Sequence, residues 1–219
     1  RLTPEPRRSA VYSIYAWMRA GDDAADEPVR AEERRAALHE FAARSRAVLS
    51  GDVDPGAPSM WLAFAATVAS YQLSRTHLDD MLAGLEEDLT HAPYETDAQL
   101  DRYCHRVAST VGLVCVQIWG MKPGLNPGDA ALAPALAERR GLAFQLTNIL
   151  RDFREDYDSS PSRVYLSRES FARAGLTPED LRSWRDDAVC RRYVLEQAER
   201  ARAHFQASAR LDAMIDPAC

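Results

Sequence analysis

Two short acidic stretches have a spacing from which chemistry can be argued. Asp22 and Asp26 lie four residues apart in Asp22-Asp23-Ala24-Ala25-Asp26-Glu27. On a helix that spacing stacks both carboxylates on one face, about 6 Å apart along the axis. The two charges repel, and at a helix C-terminus the macrodipole opposes them further. A divalent cation would relieve this, and so would water around an ordinary acidic helix end, so the motif alone leaves both readings open. Asp152 and Asp156 repeat the spacing. Asn148 and Gln145 extend them into a polar stripe flanked by Phe144, Leu146, Ile149, Leu150 and Phe153. A polar stripe in an apolar helix needs partners, whether other helices, solvent or a ligand. If the two stripes face each other, four carboxylates meet, and oxygen donors of this kind suit Mg²⁺ completed by substrate phosphates. No His pair at helical spacing accompanies them, which disfavours a di-iron centre. Arg19 and Arg151 stand beside the acids, and a guanidinium recognises phosphate bidentately. Metal-binding acids and phosphate-binding arginines around an apolar interior describe a site for an apolar diphosphate.

The elements that would position these residues read as helices. Ala, Leu, Arg and Glu are abundant, and no hairpin dipeptide or sustained alternation argues for strands. The breaks fall at 51–58, 122–128 and 159–162, where glycine, proline and serine cluster. Helices are expected from about Arg7 to Glu27, from Pro28 to Leu49, from Pro58 to Ser74 and from Thr76 to Leu89. The second is charged and expected to be peripheral; the third is apolar on most sides and expected to be buried. Thr96 and Gln99 form a capping box for a helix reaching Trp119. Pro127 opens another to Tyr157, and Thr177 starts a long charged helix to Ala209. The expectation is one all-α domain of about eight helices over residues 1–219.

The motifs together resemble those of the squalene and phytoene synthase family. Tyr15-Ala-Trp-Met-Arg19-Ala-Gly-Asp22-Asp-Ala-Ala-Asp26-Glu27 is similar to its first aspartate-rich motif. Gln145-Leu-Thr-Asn148-Ile-Leu-Arg151-Asp152-Phe-Arg-Glu155-Asp156 is similar to its second, followed by Arg163-Val-Tyr165-Leu166. Tyr103-Cys-His-Arg-Val107-Ala-Ser-Thr-Val111-Gly112 resembles the family's central helix, and Gly84 and Asp88 fit as well. The resemblance spans nearly the whole chain in the right order. It departs from the family in a seven-residue step from Asp156 to Arg163 and in Ser109, where a glycine is common. It also implies that the family's first helix segment and last helices are missing here.

The resemblance implies a class I isoprenoid synthase bundle around a central apolar cavity, with both aspartate motifs at its mouth. It implies Mg²⁺-dependent, head-to-head condensation of two isoprenyl diphosphates. Metal ions held by Asp22, Asp26, Asp152, Asp156 and Asn148 would neutralise the departing diphosphate. Arg19 and Arg151 would assist, and Tyr103 would orient a diphosphate or aid proton loss, unless it is a core tyrosine. Tyr15, Val107, Val111, Gly112, Gln145, Asn148 and Arg163 would contact substrate. The Tyr103-Cys-His start leans toward farnesyl diphosphate, giving presqualene diphosphate and squalene, the one product that requires NADPH. The alternatives are phytoene from geranylgeranyl diphosphate, hydroxysqualene, or a non-catalytic helical assembly factor. The intact Asn148-Ile-Leu-Arg151-Asp152 run and the four aspartates weigh against the last two. That run also weighs against a head-to-tail elongation enzyme, which the Asp22-Asp23-Ala-Ala-Asp26 pattern would otherwise suit.

Composition sets the outer bounds. The chain has 219 residues, 46% of them hydrophobic, and a formal charge of −6. That balance argues against a nucleic-acid partner. Four widely spaced cysteines make neither a zinc pattern nor a disulfide framework. The apolar run at 60–69 is too short to span a bilayer. The expected location is the cytoplasm, in solution or loosely attached to the cytoplasmic membrane face, because the product is apolar.

Overall fold

A computed structural model describes residues 3–26, 30–90 and 92–218, with the Asp26 side chain outside the description. Its helices are α1 (Arg7–Asp26), α2 (Ala31–Leu49), α3 (Ser59–Tyr71), α4 (Arg75–Leu89) and α5 (Asp97–Cys104). A π-helical turn, His105–Ser109, joins α5 to α6 (Thr110–Trp119). The chain continues through α7 (Pro127–Asp158), α8 (Arg168–Ala174), α9 (Pro178–Ser183), α10 (Asp187–Ala207) and a short 3₁₀ turn. The described residues form no strand beyond one isolated bridge between Met121 and Ile215. Within them no helix is long and apolar enough to cross a membrane.

Local signals explain most helix ends. The Thr96 side chain accepts from the Gln99 amide while Gln99 accepts from the Thr96 amide, so the expected capping box forms. Asn126 caps α7 by accepting from the Asp129 amide at 2.8 Å. The expected Pro28 start of α2 lies outside the described residues. Two expectations fail. The long helix from Thr177 is broken after Ser183, where Trp184 takes φ +53°, and Asp186 then caps a fresh helix. The third helix is not buried on all sides: Trp61, Phe64 and Thr67 face inward, while the face with Leu62, Ala63, Ala66 and Ala69 is exposed. Alanine reads as apolar but offers little surface to bury, so an alanine-rich face gains little by being covered.

Two apolar clusters hold the bundle together. In the first, Trp17 of α1 stacks on Phe64 of α3 at 4.7 Å, with Phe41 of α2 and Leu78 and Leu82 of α4 beside them. In the second, Leu100 and Cys104 of α5 pack on Leu146, Ile149 and Phe153 of α7, on Phe171 of α8 and on Tyr193 of α10. The π turn lies between the two clusters, and glycines face it on both sides. A Cβ on Gly84 of α4 would sit 2.7 Å from Val107, and one on Gly141 of α7 would sit 2.4 Å from the Ser109 Cα. Those two glycines let α4 and α7 close on the widened turn that carries the central sequence motif.

Candidate functional site

A cavity of about 210 Å³ lies between α1, α4, the α5/π-turn segment and α7. Trp17, Met18, Met81, Leu85 and Val107 supply an apolar wall, and Asp22, Asp88, Tyr103, Arg106 and Gln145 supply polar groups. Asp88 organises the polar side. Its Oδ1 accepts from the Tyr103 hydroxyl at 2.9 Å and from the Tyr165 hydroxyl at 3.3 Å. The two phenol rings stack at 5.2 Å, and Tyr94 packs against Tyr103 at 5.5 Å. Burial, then the charge of Asp88, push the Tyr103 phenol far above its ordinary range, and the same two causes bring Tyr165 to about 12. At neutral pH both phenols are therefore protonated donors. Arg106 donates to Glu87 at 2.8 Å on the same rim.

The second acidic motif runs along α7. Gln145 reaches the cavity, and Asn148 and Asp156 are half-buried. Arg151 grips Asp152 through two bonds of 2.7 Å, which holds that carboxyl below its ordinary range. Burial and the neighbouring charge of Asp152 raise Asp156, and Arg163 opposes them. The main chain of the following loop returns to this helix end, the Arg163 amide donating to the Asp156 carbonyl at 2.8 Å. The seven-residue step thus still brings Arg163 back beside Asp156.

The remaining sequence-derived candidates scatter. Val107 lines the cavity, whereas Val111 packs on the α1–α4 cluster. Gly112 faces α7, where a Cβ would stand 3.0 Å from the Ala137 carbonyl oxygen, so its small size serves a helix contact. Tyr15 is 67% exposed and lies outside the cavity lining. Arg19 is exposed on α1 and pairs with Asp23 at 2.8 Å. Asp22 lines the cavity, and Asp26 is the candidate whose side chain lies outside the described residues. Among the described residues no three His, Cys, Asp or Glu side chains already converge as a metal site. The donor chemistry nevertheless suits a hard cation. Asp22 and the α7 stripe offer oxygen alone, and the raised Asp156 is a carboxylate that a nearby positive charge would favour.

Sequence reasoning left Asp88 and Tyr165 off the site, although both stand within the motifs. It missed Arg34 and Arg35 altogether. These line a second cavity, of about 380 Å³, together with Arg163 and Asp88. In the sequence they are part of a charged, helical run with nothing to set them apart from a solvated face.

The family model described as "Squalene/phytoene synthase" matches residues 1–219. Phytoene synthase 1, chloroplastic, from Arabidopsis thaliana is 36% identical over 206 residues, covering 93% of this chain and 47% of that protein. The 15-cis-phytoene synthase of Synechococcus elongatus is 33% identical over 214 residues, covering 95% and 68%. The chain thus spans about half the length of the plant relatives it matches. Among solved structures, squalene synthase HpnC from Alicyclobacillus acidocaldarius superposes with a TM-score of 0.83 at 26% identity, covering 99% of this chain and 77% of that one. A dehydrosqualene synthase complex gives 0.82 at 25% identity, covering 99% and 72%.

Proposed function

This chain belongs to the squalene/phytoene synthase family, and from that premise we propose that it joins two molecules of geranylgeranyl diphosphate head to head to form phytoene. Its bundle is the helical isoprenoid synthase fold. The observation that carries the proposal is the apolar cavity whose polar side holds Asp22, Asp88, Tyr103 and Gln145. In the proposed reaction the C1–O bond of one substrate breaks and diphosphate departs. The double bond of the second substrate attacks the allylic cation, and loss of a proton closes a cyclopropane. The second C1–O bond then breaks, the skeleton rearranges, and another proton is lost. Two diphosphates and two protons leave for each hydrocarbon formed.

The residues of this chain divide that work. Trp17, Met18, Met81, Leu85 and Val107 keep water from the cation. Tyr103, fixed by Asp88, presents a phenol from the cavity wall and holds its proton. Gln145 and Asn148 offer amides along the α7 stripe, and Arg163 sets positive charge beside Asp156. A Mg²⁺ ion held by Asp22, Asp152, Asp156 and Asn148, with Asp26, would supply Lewis-acid neutralisation of the leaving group.

The names of the relatives support the C20 substrate over the C15 one. The proteins matched at 33–36% identity are called phytoene synthases, and this outweighs the weak lean of Tyr103-Cys104-His105 toward farnesyl diphosphate. Phytoene formation ends in proton loss, so the reading calls for no NADPH. Because the product is apolar, we place the protein in the cytoplasm, near the membrane face that receives it. The test is incubation of the full-length protein with Mg²⁺ and either diphosphate, with and without NADPH, followed by mass analysis. A C40 product independent of NADPH is expected. C30 products alone would replace phytoene with the squalene-type reading.

A further inference from the structure

The central apolar cavity has a polar end and a floor, and helix register distinguishes them. Asp88 stands near the C-terminus of α4, and Met81 lies seven residues earlier on the same face, two turns and about 10 Å deeper. On α1 the same direction leads from Asp22 to Met18 and Trp17, and in the central segment it leads from Tyr103 to Val107. One turn further down, Ile14 and Leu78 are almost wholly buried in the first apolar cluster, and Val111 packs against it. Trp17 and Met81 belong both to that cluster and to the cavity lining, so they form the layer at which open space ends.

That space is small for its proposed occupants. A cavity of roughly 150 Å³ takes one benzene ring, so about 210 Å³ takes about eight carbon atoms on the same scale. A C20 tail therefore enters only if lining side chains move, and most of the wall is fixed. Trp17 stacks on Phe64 at 4.7 Å and donates its indole N–H to Ser45 at 2.9 Å. Tyr103 is held by Asp88 at 2.9 Å. Val107 fills the space beside Gly84 and Leu85 the space beside Gly21, each 2.7 Å from where a Cβ would stand, so α4 is wedged between its neighbours. The two methionines are the exception, because an unbranched thioether with three rotatable bonds refits irregular gaps. Met18 is half-buried one turn from Asp22, whereas Met81 is 4% exposed and lies at the floor. We propose that Met81 sets the longest prenyl tail the cavity admits. Its thioether swings aside for the last isoprene unit of a C20 chain, and a C15 tail ends above it. The proposal rests on the head-to-head reading and names the residue that decides between its two substrates.

The test compares kcat/KM of the full-length protein for farnesyl and geranylgeranyl diphosphate in Mg²⁺, in wild type, Met81→Phe and Met81→Ala. Phenylalanine keeps the wall apolar but puts a rigid ring where the thioether bends, and alanine removes the stop. The C20-to-C15 ratio should fall at least about tenfold in Met81→Phe, the scale on which one misfitted hydrocarbon group discriminates, and rise in Met81→Ala. Circular dichroism checks folding, and Met81→Ala alone carries the test if the phenylalanine variant unfolds. Calorimetric titration with the C15 and C20 thiolodiphosphates, which resist cleavage at C1, reads the same ratio as affinities without turnover. A ratio unchanged in the folded variants, by rate and by affinity, overturns the proposal and leaves the proposed function standing. Affinities that follow Met81 in a protein that forms no prenyl product overturn the proposed function and leave the role of Met81 standing. A wild type confined to C15 that gains C20 turnover only in Met81→Ala replaces the phytoene reading and supports the stop.

Discussion

Gly141→Ala opposes helix propensity to packing through a single added carbon. In the middle of α7, alanine in place of glycine should gain about 1 kcal/mol from propensity. The added Cβ would lie 2.4 Å from the Ser109 Cα and 2.6 Å from the Ala108 carbonyl oxygen and the Ser109 amide nitrogen. Carbon atoms prefer about 3.5–4.0 Å, so α7 and the π turn must separate by roughly 1 Å. Every one of those neighbours is backbone, so no side-chain rotation relieves the clash. Overpacking of this kind costs about 1–3 kcal/mol. Separation also strains the bond from Ser109 Oγ to the Glu138 carbonyl, now 2.7 Å, worth about 1 kcal/mol. The net expectation is a loss of about 2 kcal/mol, or about 4–8 °C in Tm for a chain of this size. The displaced turn carries Val107 and follows directly on Tyr103 and Cys104, so kcat should fall by about tenfold or more at temperatures where the variant is still folded. Gly128→Ala in the same helix is the control, because its nearest contact is the Asn126 side-chain oxygen at 3.3 Å. That variant should stay within about 0.5 kcal/mol of wild type. Differential scanning calorimetry and steady-state rates on both variants decide the matter. A Gly141→Ala protein that melts and turns over like Gly128→Ala would refute the claim that this glycine sets the helix spacing.

Other expectations concern single groups. Asp152→Ala and Asp156→Ala should each lower turnover by about 100-fold or more while far-UV circular dichroism is unchanged, as expected for losing a charge-stabilising group; near-normal rates at ordinary Mg²⁺ would remove the α7 pair from the site. Ser45→Ala strips the partner from the buried Trp17 indole N–H, now bonded at 2.9 Å, and should destabilise by about 1–3 kcal/mol, read as a drop in Tm. Asp180 is held at about 2 by the Thr177 hydroxyl and amide and by Arg185. A carboxyl lowered in the folded state adds stability above its unfolded value and loses it as pH falls toward 2. Asp180→Ala should therefore lower Tm at pH 7, by an amount that shrinks steadily in melts between pH 4 and pH 2.

The helices were legible where the sequence carries local punctuation. Thr96 with Gln99, Asn126 with Pro127, and Thr177 with Pro178 each announce an N-terminus that forms. Ends set by tertiary contact were not. The break at Trp184 has no glycine or proline to mark it, and Asp186 takes over as cap two residues later. The π turn was equally hidden, because His105 to Ser109 is an ordinary helical stretch in composition. Its widening is matched to Gly84 and Gly141, which lie 21 residues before and 32 after its ends in sequence. In the site, residue type was readable but partnership was not. Arg19 and Arg151 look like phosphate ligands in the sequence, yet each holds a neighbouring aspartate, Asp23 and Asp152. Arg34 and Arg35 looked like a solvated face, yet they line a cavity. An arginine's role depends on which carboxylate reaches it first, and i to i+4 spacing cannot reveal partners from other helices.

Tyr103 shows how a residue with two competing readings resolves. The sequence allowed either a core tyrosine or a group facing substrate, and the structure makes it both. It is 3% exposed, packed between Tyr94 and Tyr165, and part of the cavity wall. Its partner Asp88 comes from another helix, 15 residues earlier, so no local pattern could join them. The pairing decides what the phenol can do. With its proton directed at a carboxylate and its ionisation opposed by burial, Tyr103 is a poor base at neutral pH. In the proposed reaction it therefore orients the reacting chains, and the proton that closes the cyclopropane must leave toward another acceptor. The released diphosphate is an acceptor that the reaction itself supplies. Tyr103→Phe should then lower kcat with little change in KM, and without shifting the pH at which the rate falls. A variant whose pH profile loses an entire limb would show that the phenol itself takes the proton.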